Sequence, residues 1–197
     1  MNQNTIQKEI IRYGRKLTEK GFICGHGGNI SVRVGDKIFI TRRGASLEEL
    51  TKRDIIRIDI FKDTKNIKYA SSEAIVHREI YKRTNNKAII HTHGIYSIAV
   101  SYFHKEIEPL EIEVRYTIKK IPVIEGRTGT LQLGRNAAQA IKEYKTAIIR
   151  GHGIITAGET LEEAYRLTCL IEKNSQEKYL LEILKNLGKP LITPKEI

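Results

Sequence analysis

Hydrophobic residues recur along this chain with two periods, and the switching between them predicts a sheet with helices packed on it. Ile6, Ile10, Tyr13 and Leu17 stand three or four apart within residues 5–20, the spacing of an amphipathic helix that ends before Gly21. Gly14 interrupts that helix at a cost of about 1 kcal/mol relative to alanine, which either weakens it or marks close packing at that point. Residues 30–34 and 37–41 alternate with period two on either side of Gly35 and Asp36, the pattern of a hairpin. Ser46 with Glu49 three residues on has the form of a capping box and predicts a short helical stretch, and residues 54–61 alternate again as a strand. Ser71, Ser72 and Glu73 open a helix in which Ile75, Val76, Glu79, Ile80 and Arg83 keep the helical period, with Ser72 as N-cap and a stop near Thr84. The apolar run 88–90 ends in His91, Thr92 and His93, after which helix resumes from Gly94 to Phe103. Residues 112–118 read as strand, 121–124 as a further apolar segment, 132–144 as helix and 146–149 as strand. Arg150, Gly151, His152 and Gly153 then lead into a second apolar run, 154–157, and a long helix over 160–187 closes the pattern. Pro190 and Pro194 predict a fraying tail over 188–197.

Strands thus alternate with helices, but the early hairpin and the glycine-rich strand ends argue against a doubly wound parallel sheet. The expected class is α/β, with a mixed or mainly antiparallel sheet covered by helices. A chain of 197 residues, 40% hydrophobic and 29% charged, suits a single domain over 1–197, and neither repeat nor linker divides it. No apolar run approaches the roughly 18–20 residues that cross a bilayer, and the polar start lacks a signal-peptide core, so no membrane partner and a cytoplasmic location are expected. Cys24 and Cys169 stand alone and far apart, which excludes a disulfide framework and a cysteine zinc site. Lys and Arg outnumber Asp and Glu by 34 to 23, a formal +11. The surplus is compatible with nucleic acid or with small phosphorylated or carboxylated ligands and by itself decides neither; the cations are interspersed with acids, the pattern of a solvated surface, and with Trp absent and aromatics at 7% no base-stacking platform is predicted.

Candidate chemistry gathers at the strand ends. His91 and His93 are two apart where a strand gives way to helix, so both imidazoles leave one face; the pair either grips an ion or hydrogen-bonds within a polar pocket. His152 also borders an apolar strand, between Gly151 and Gly153, which remove bulk beside it. Three nitrogen ligands leave a position open for substrate, the pattern of a catalytic rather than a structural metal site. Glu73, at a helix N-terminus after two serines, is either the carboxylate serving that site or an ordinary first-turn acid. The loop of Gly27, Gly28 and Asn29 is either a phosphate cradle or a tight turn, and it carries no P-loop lysine. His77, four residues after Glu73, shares its helix face and reads either as a packing residue or as one that supports the site from behind, and His104 as a surface residue.

Taken in order, Gly28, Asn29, Ile30, Ser31, then Thr41 and Gly44, then Ser71, Ser72, Glu73, His77 and Tyr81, then His91, Thr92, His93, and finally His152 and Gly153 resemble the class II sugar-phosphate aldolase and epimerase family. The resemblance implies α/β/α layers around a central antiparallel sheet and a homotetramer with the site at a subunit interface. It implies His91, His93 and His152 as ligands of a divalent ion, zinc being favoured because imidazole suits it. It further implies Glu73 as the catalytic acid/base, and Gly28, Asn29, Gly44, Ser71 and Ser72 around the phosphate of a small phosphorylated sugar. The activity implied is an aldolase that cleaves a ketose 1-phosphate, fuculose-1-phosphate-like, to dihydroxyacetone phosphate and an aldehyde through a metal-stabilised enediolate. Glu73 favours this over the 4-epimerase branch, which more often has aspartate there; a methylthioribulose-1-phosphate-like dehydratase is the near alternative, and a basic nucleic-acid-binding protein a remote one. Where the family commonly has Thr-Pro-Ser/Thr-Gly, this chain has Thr41, Arg42, Arg43, Gly44, which places the Arg43 guanidinium among the candidate phosphate ligands. His26 stands where fuculose-phosphate aldolases carry a small hydroxyl residue, and Tyr116 lies in the region of the family's proton-donating tyrosine.

Overall fold

A computed structural model describes residues 2–192. In chain order the elements are α1 (Gln3–Glu19), β1 (Asn29–Val34), β2 (Lys37–Thr41), β3 (Ile55–Asp59), α2 (Ala74–Arg83), β4 (Ala88–Thr92), α3 (Ile95–Ser101), β5 (Glu106–Ile107), α4 (Ile112–Arg115), β6 (Ile121–Ile124), α5 (Leu131–Tyr144), β7 (Thr146–Ile149), β8 (Gly153–Gly158) and α6 (Leu161–Asn186). The strands form one eight-stranded sheet in the order β3-β2-β1-β4-β8-β7-β6-β5, antiparallel throughout except for the parallel β6–β7 pair. The fold is the expected α/β one. β1 and β2 are joined by the two-residue Gly35–Asp36 turn, with Val34 opposite Lys37.

Period-two alternation distributes the core over both faces. On one side α2 and α5 cover Ile38, Ile40, Ile89, Ile149 and Ile155 with Val76, Ile80, Leu133 and Ala137. On the other, α1 and the start of α6 cover Ile30, Phe39, Ala88 and Ile90 with Ile6, Ile10, Tyr13, Leu17, Leu161 and Ala164. A third cluster lies under α3, α4 and α6, around Val100, Val114, Ile148, Ile154 and Ile171. Strands buried on both faces read as continuous apolar runs, which is why β4 carries no polar residue until its end and β8 only Thr156, whose hydroxyl donates to the Ala164 carbonyl at 3.0 Å. Burying each such isoleucine contributes roughly 1.5–3 kcal/mol. Gly14 is explained by packing: a Cβ there would meet the Leu47 carbonyl oxygen at 2.6 Å, so glycine lets the loop after β2 lie directly on α1.

Three local expectations are corrected. Residues 46–49 form no helix; the chain bends there, and a single 3-10 turn follows at Lys52–Asp54. Its reciprocal cap is made by Thr51, whose backbone N–H (3.0 Å) and hydroxyl (2.8 Å) donate to the Asp54 carboxylate. Ala45, Leu47 and Leu50 are buried against α1, so packing sets the path where the Ser46–Glu49 pattern suggested a cap. Residues 112–118 are not a strand either: Val114 and Ile118, both buried, lie one helical turn apart around α4. Spacings of two and four both bring them to one side, and the short stretch cannot distinguish the two. The α2 cap is a third correction: Glu73, not Ser72, occupies the N-cap position, and Ser72 is exposed. Of the predicted fraying tail 188–197, residues 193–197 lie outside the described residues.

Candidate active site

The site lies at one end of β1, β4 and β8. Antiparallel register sets Asn29 opposite His91 and His91 opposite Ile155, and the alternation that turns Ile89 toward α2 turns His91 the same way. α2 begins beside this strand end, where Glu73 and His91 come within 3.2 Å. The chain re-enters the sheet at Gly153, whose neighbour His152 completes a group of three imidazoles. A Cβ at Gly153 would stand 2.0 Å from the Thr92 carbonyl oxygen, so only glycine lets β8 start this close to β4. Gly28, at φ +73°, plays the same part on the other side, since a Cβ there would meet Ile23 at 2.4 Å and the His91 carbonyl oxygen at 2.8 Å.

The Nε2 atom of His91 lies 3.0 Å from that of His93 and 3.3 Å from that of His152. His91 Nδ1 is 2.8 Å from the Ile154 carbonyl oxygen, an acceptor only, so the proton of a neutral His91 sits on Nδ1 and the Nε2 lone pair faces the other two rings. Nitrogens bound to a tetrahedral zinc at about 2.0–2.1 Å stand about 3.3 Å apart. Converging lone pairs at that spacing fit a divalent cation. Burial, together with the neighbouring imidazoles, pushes His93 down to about 4 and His152 below its ordinary value, which keeps them in the neutral form a metal requires.

Glu73 is buried, and burial alone would raise its carboxyl. Facing His91 and His152 and accepting a hydrogen bond from Asn29, it is instead held below the usual range. Asn29 Nδ2 donates to Oε2 at 3.2 Å, whereas Oε1 is buried and has no partner among the described residues. The Ser71 hydroxyl accepts the Glu73 backbone N–H at 3.2 Å, and Ser71 N–H donates to Thr41 O at 3.0 Å, tying the start of α2 to the end of β2. His77 lies behind this layer. It is fully buried, pushed down to about 3 chiefly by that burial, and its Nδ1 is 2.7 Å from the Ser31 hydroxyl, itself 2.9 Å from that of Tyr81. The packing role expected of His77 is therefore a hydrogen-bonded one. His104 is half-buried rather than on the open surface, 2.8 Å from the Glu182 carboxylate.

Gly28, Asn29, Arg43, Gly44, Ser71, Ser72, Glu73 and the three histidines all line one cavity of about 170 Å³. Of the two arginines, Arg42 is tied to Asp54 at 2.9 Å, while Arg43 makes no ion pair among the described residues. His26 also reaches this cavity, and so does Thr128, in the loop between β6 and α5, to which no sequence pattern assigns a role. The signal for Thr128 was its bracketing by Gly126 and Gly129: a Cβ on Gly129 would sit 3.0 Å from the Ser72 carbonyl oxygen, so that loop packs directly on the start of α2. Tyr116 is 85% exposed and is not among the residues of this cavity.

Comparison with known proteins agrees with this geometry. The profile of the family described as Class II Aldolase and Adducin N-terminal domain matches residues 8–179. An L-fuculose phosphate aldolase of Methanococcus maripaludis is 34% identical over 179 residues, covering 90% of this chain and 98% of its own. An L-fuculose phosphate aldolase of Escherichia coli is 30% identical over 200 residues, covering 100% of this chain and 93% of its own. The crystal structure of L-fuculose-1-phosphate aldolase from Thermus thermophilus superposes with a TM-score of 0.88 at 28% identity, covering 94% of this chain and 98% of that one. With the sheet order, the histidine group and the match over residues 8–179 in agreement, this chain belongs to the class II aldolase family, enzymes that act as carbon–carbon lyases.

Proposed function

We propose that this enzyme reversibly cleaves a ketose 1-phosphate of the fuculose-1-phosphate kind into dihydroxyacetone phosphate and an aldehyde, with His91, His93 and His152 holding a divalent ion, zinc by preference. The observation that carries the reading is the state of Glu73. One carboxylate oxygen is held by Asn29 beside His91, the other is buried without a partner among the described residues, and the residue lines a cavity shared with three imidazoles. A base fixed through one oxygen and free at the other is placed to move a proton without first breaking a hydrogen bond. When bound, the cation polarises the substrate ketone and stabilises the negative charge left as the adjacent carbon–carbon bond breaks. In the condensation direction Glu73 Oε1, ionised, would take the proton from the carbon that attacks the aldehyde, and the alkoxide formed from the aldehyde would take one from solvent; cleavage runs both transfers in reverse, Glu73 returning its proton to that carbon.

The substrate phosphate is read onto Gly28, Asn29, Arg43, Gly44, Ser71 and Ser72. Gly28 and Gly44 leave backbone amides uncovered, and the serines stand at the positive end of α2. Arg43, which makes no ion pair among the described residues, offers a fork of donors for phosphate oxygens. Residues 1–197 are read as one class II aldolase-like domain in a cytoplasmic homotetramer with the site at a subunit interface. Among the described residues no helix is long and apolar enough to cross a membrane. The exposure of Phe103 (81%) and Tyr116 (85%) supports burial against another subunit.

The test is a product assay. Purified, metal-loaded enzyme is mixed with L-fuculose 1-phosphate and other ketose 1-phosphates, and dihydroxyacetone phosphate is followed by coupled NADH oxidation. One equivalent per substrate consumed is expected. Water loss to a deoxy-diketone without dihydroxyacetone phosphate would replace the aldolase reading with that of a dehydratase.

A further inference from the structure

Glu172 is a buried acid that the proposed chemistry does not use. It lies on α6, is 5% exposed, and has no cation against it among the described residues. Its two oxygens accept backbone N–H groups of α3: Oε1 from Tyr96 at 2.8 Å and Oε2 from Ser97 at 3.1 Å. These are second- and third-position amides of a helix whose N-cap, Gly94, has no side chain to satisfy them. Gly94 itself is required by the carboxylate, because a Cβ there would stand 2.1 Å from Glu172 Oε2. A remote helix thus supplies the cap that α3 lacks.

α3 is short, about 10 Å for seven residues at 1.5 Å each, and both of its ends border the site. Its N-terminus follows His93 by one residue. At its C-terminus the Ser101 hydroxyl accepts the Gly151 backbone N–H at 2.9 Å, the Ser101 carbonyl accepts from the Arg150 guanidinium, and a Cβ on Gly151 would meet the Tyr102 hydroxyl at 2.6 Å. Gly151 directly precedes His152. His91, in contrast, is held by the sheet itself.

We propose that Glu172 is a positioning residue for the metal centre: by clamping α3 it sets where His93 leaves β4 and where the 150–152 loop returns, and so the spacing of both outer imidazoles about His91. The proposal rests on the three histidines being the metal ligands. Loss of the clamp frees α3 to shift as a unit and moves two of three ligands together.

Glu172→Gln tests it. The substitution keeps the side chain's shape but turns an amide NH₂ toward one of the two N–H groups. Zinc affinity, measured by competition with a chromophoric chelator, is expected to fall about 10–100-fold, the usual effect of losing a group that orients metal ligands. The ring resonances of His93 and His152 in the metal-free protein should shift while those of His91 stay. Thr160→Ala, which removes the α6 cap bond to Glu163 N–H at 3.1 Å, provides a control that lowers stability without touching α3. If Glu172→Gln matches that control in zinc affinity and histidine resonances, the carboxylate is only a cap and the proposal falls. Should Glu172→Gln not fold, Ser101→Ala reads the other end of the same strut: displaced His152 resonances and weaker zinc binding support the proposal, and unchanged ones overturn it. A wild-type protein that takes up no zinc removes the metal reading alone, since the metal-free resonances still report on Glu172.

Discussion

The cavity at the histidine group measures about 170 Å³, and a second, between α1, the β1–β2 turn and the start of α6, about 520 Å³. The larger is floored by Ile6, Tyr13, Val32 and Leu161, and most of the charges at its rim have partners: Arg12 pairs with Glu9 at 2.6 Å and Lys87 with Glu159 at 3.0 Å, while Arg33 donates to the Tyr81 and Thr84 carbonyls. Residues lining the smaller one include Glu73, Asn29 and His152, whose Oε1, Oδ1 and Nδ1 are buried without partners among the described residues. Polar atoms buried without partners are costly, so a fold retains them where a ligand or a reaction supplies the partner. Volume is a poor guide to chemistry here; such atoms also occur outside both cavities, at Thr64, Thr92 and Thr146, but three of them belong to residues that line the smaller one.

Matched substitutions in the two cavities should separate them most sharply. Glu73→Gln should lower kcat by about 10²–10⁴-fold, the usual contribution of a general acid/base, with metal content retained. Lys87→Ala, at the rim of the larger cavity, should leave turnover unchanged and alter stability by no more than about 1 kcal/mol, as for other exposed pairs. Undiminished turnover in the first variant, or lost turnover in the second, would break the comparison.

Metal removal sharpens it next. His152→Ala deletes one of the three proposed ligands and should release the ion on dialysis, reducing metal per chain and activity together, as prolonged chelation should in the wild type; metal analysis after gel filtration measures this. A smaller effect belongs to the layer behind the site. Tyr81→Phe takes a hydroxyl from the fully buried chain that joins Ser31 and His77 and should cost about 1–3 kcal/mol in denaturant unfolding.

The sheet edge belongs to neither cavity and calibrates both. Hydrogen bonding to Lys37, then the N–H groups of Lys62 and Phe61, hold the Asp59 carboxyl well below the usual carboxylate range. Its folded value lies below its unfolded one, so the stability it contributes is complete above about pH 4 and is lost progressively as the pH falls further. Unfolding curves should show the gap between wild type and Asp59→Asn narrowing on acidification below that point. A constant gap would remove Asp59 from the acid response.

Legibility followed sequence distance. His91 and His93 were readable because strand and helix periods meet there, and one apolar run followed by polar residues marks a strand end whatever the rest of the chain does. Glu73 was legible as the start of a helix, but its cap was assigned to Ser72, since serine at that point satisfies the local pattern equally well. The Ser46–Glu49 stretch and residues 112–118 misled for the same reason: each is short, and burial of Leu47, Leu50, Val114 and Ile118 outweighs weak local preference.

Periodicity, turn chemistry and the ordered motifs were enough to specify an α/β fold of helices on a mainly antiparallel sheet and to name residues that the fold gathers around one cavity. They could not say that Arg42 is already held by Asp54 while Arg43 is not, that Thr128 reaches the cavity, or that Glu172, some eighty residues from His93, supports the helix behind it. Local preferences act over a few residues along the chain. Which side chains meet across 61 residues, as His91 and His152 do, is set by sheet order and by the close approaches that Gly28 and Gly153 permit, and these arise only when the whole core packs.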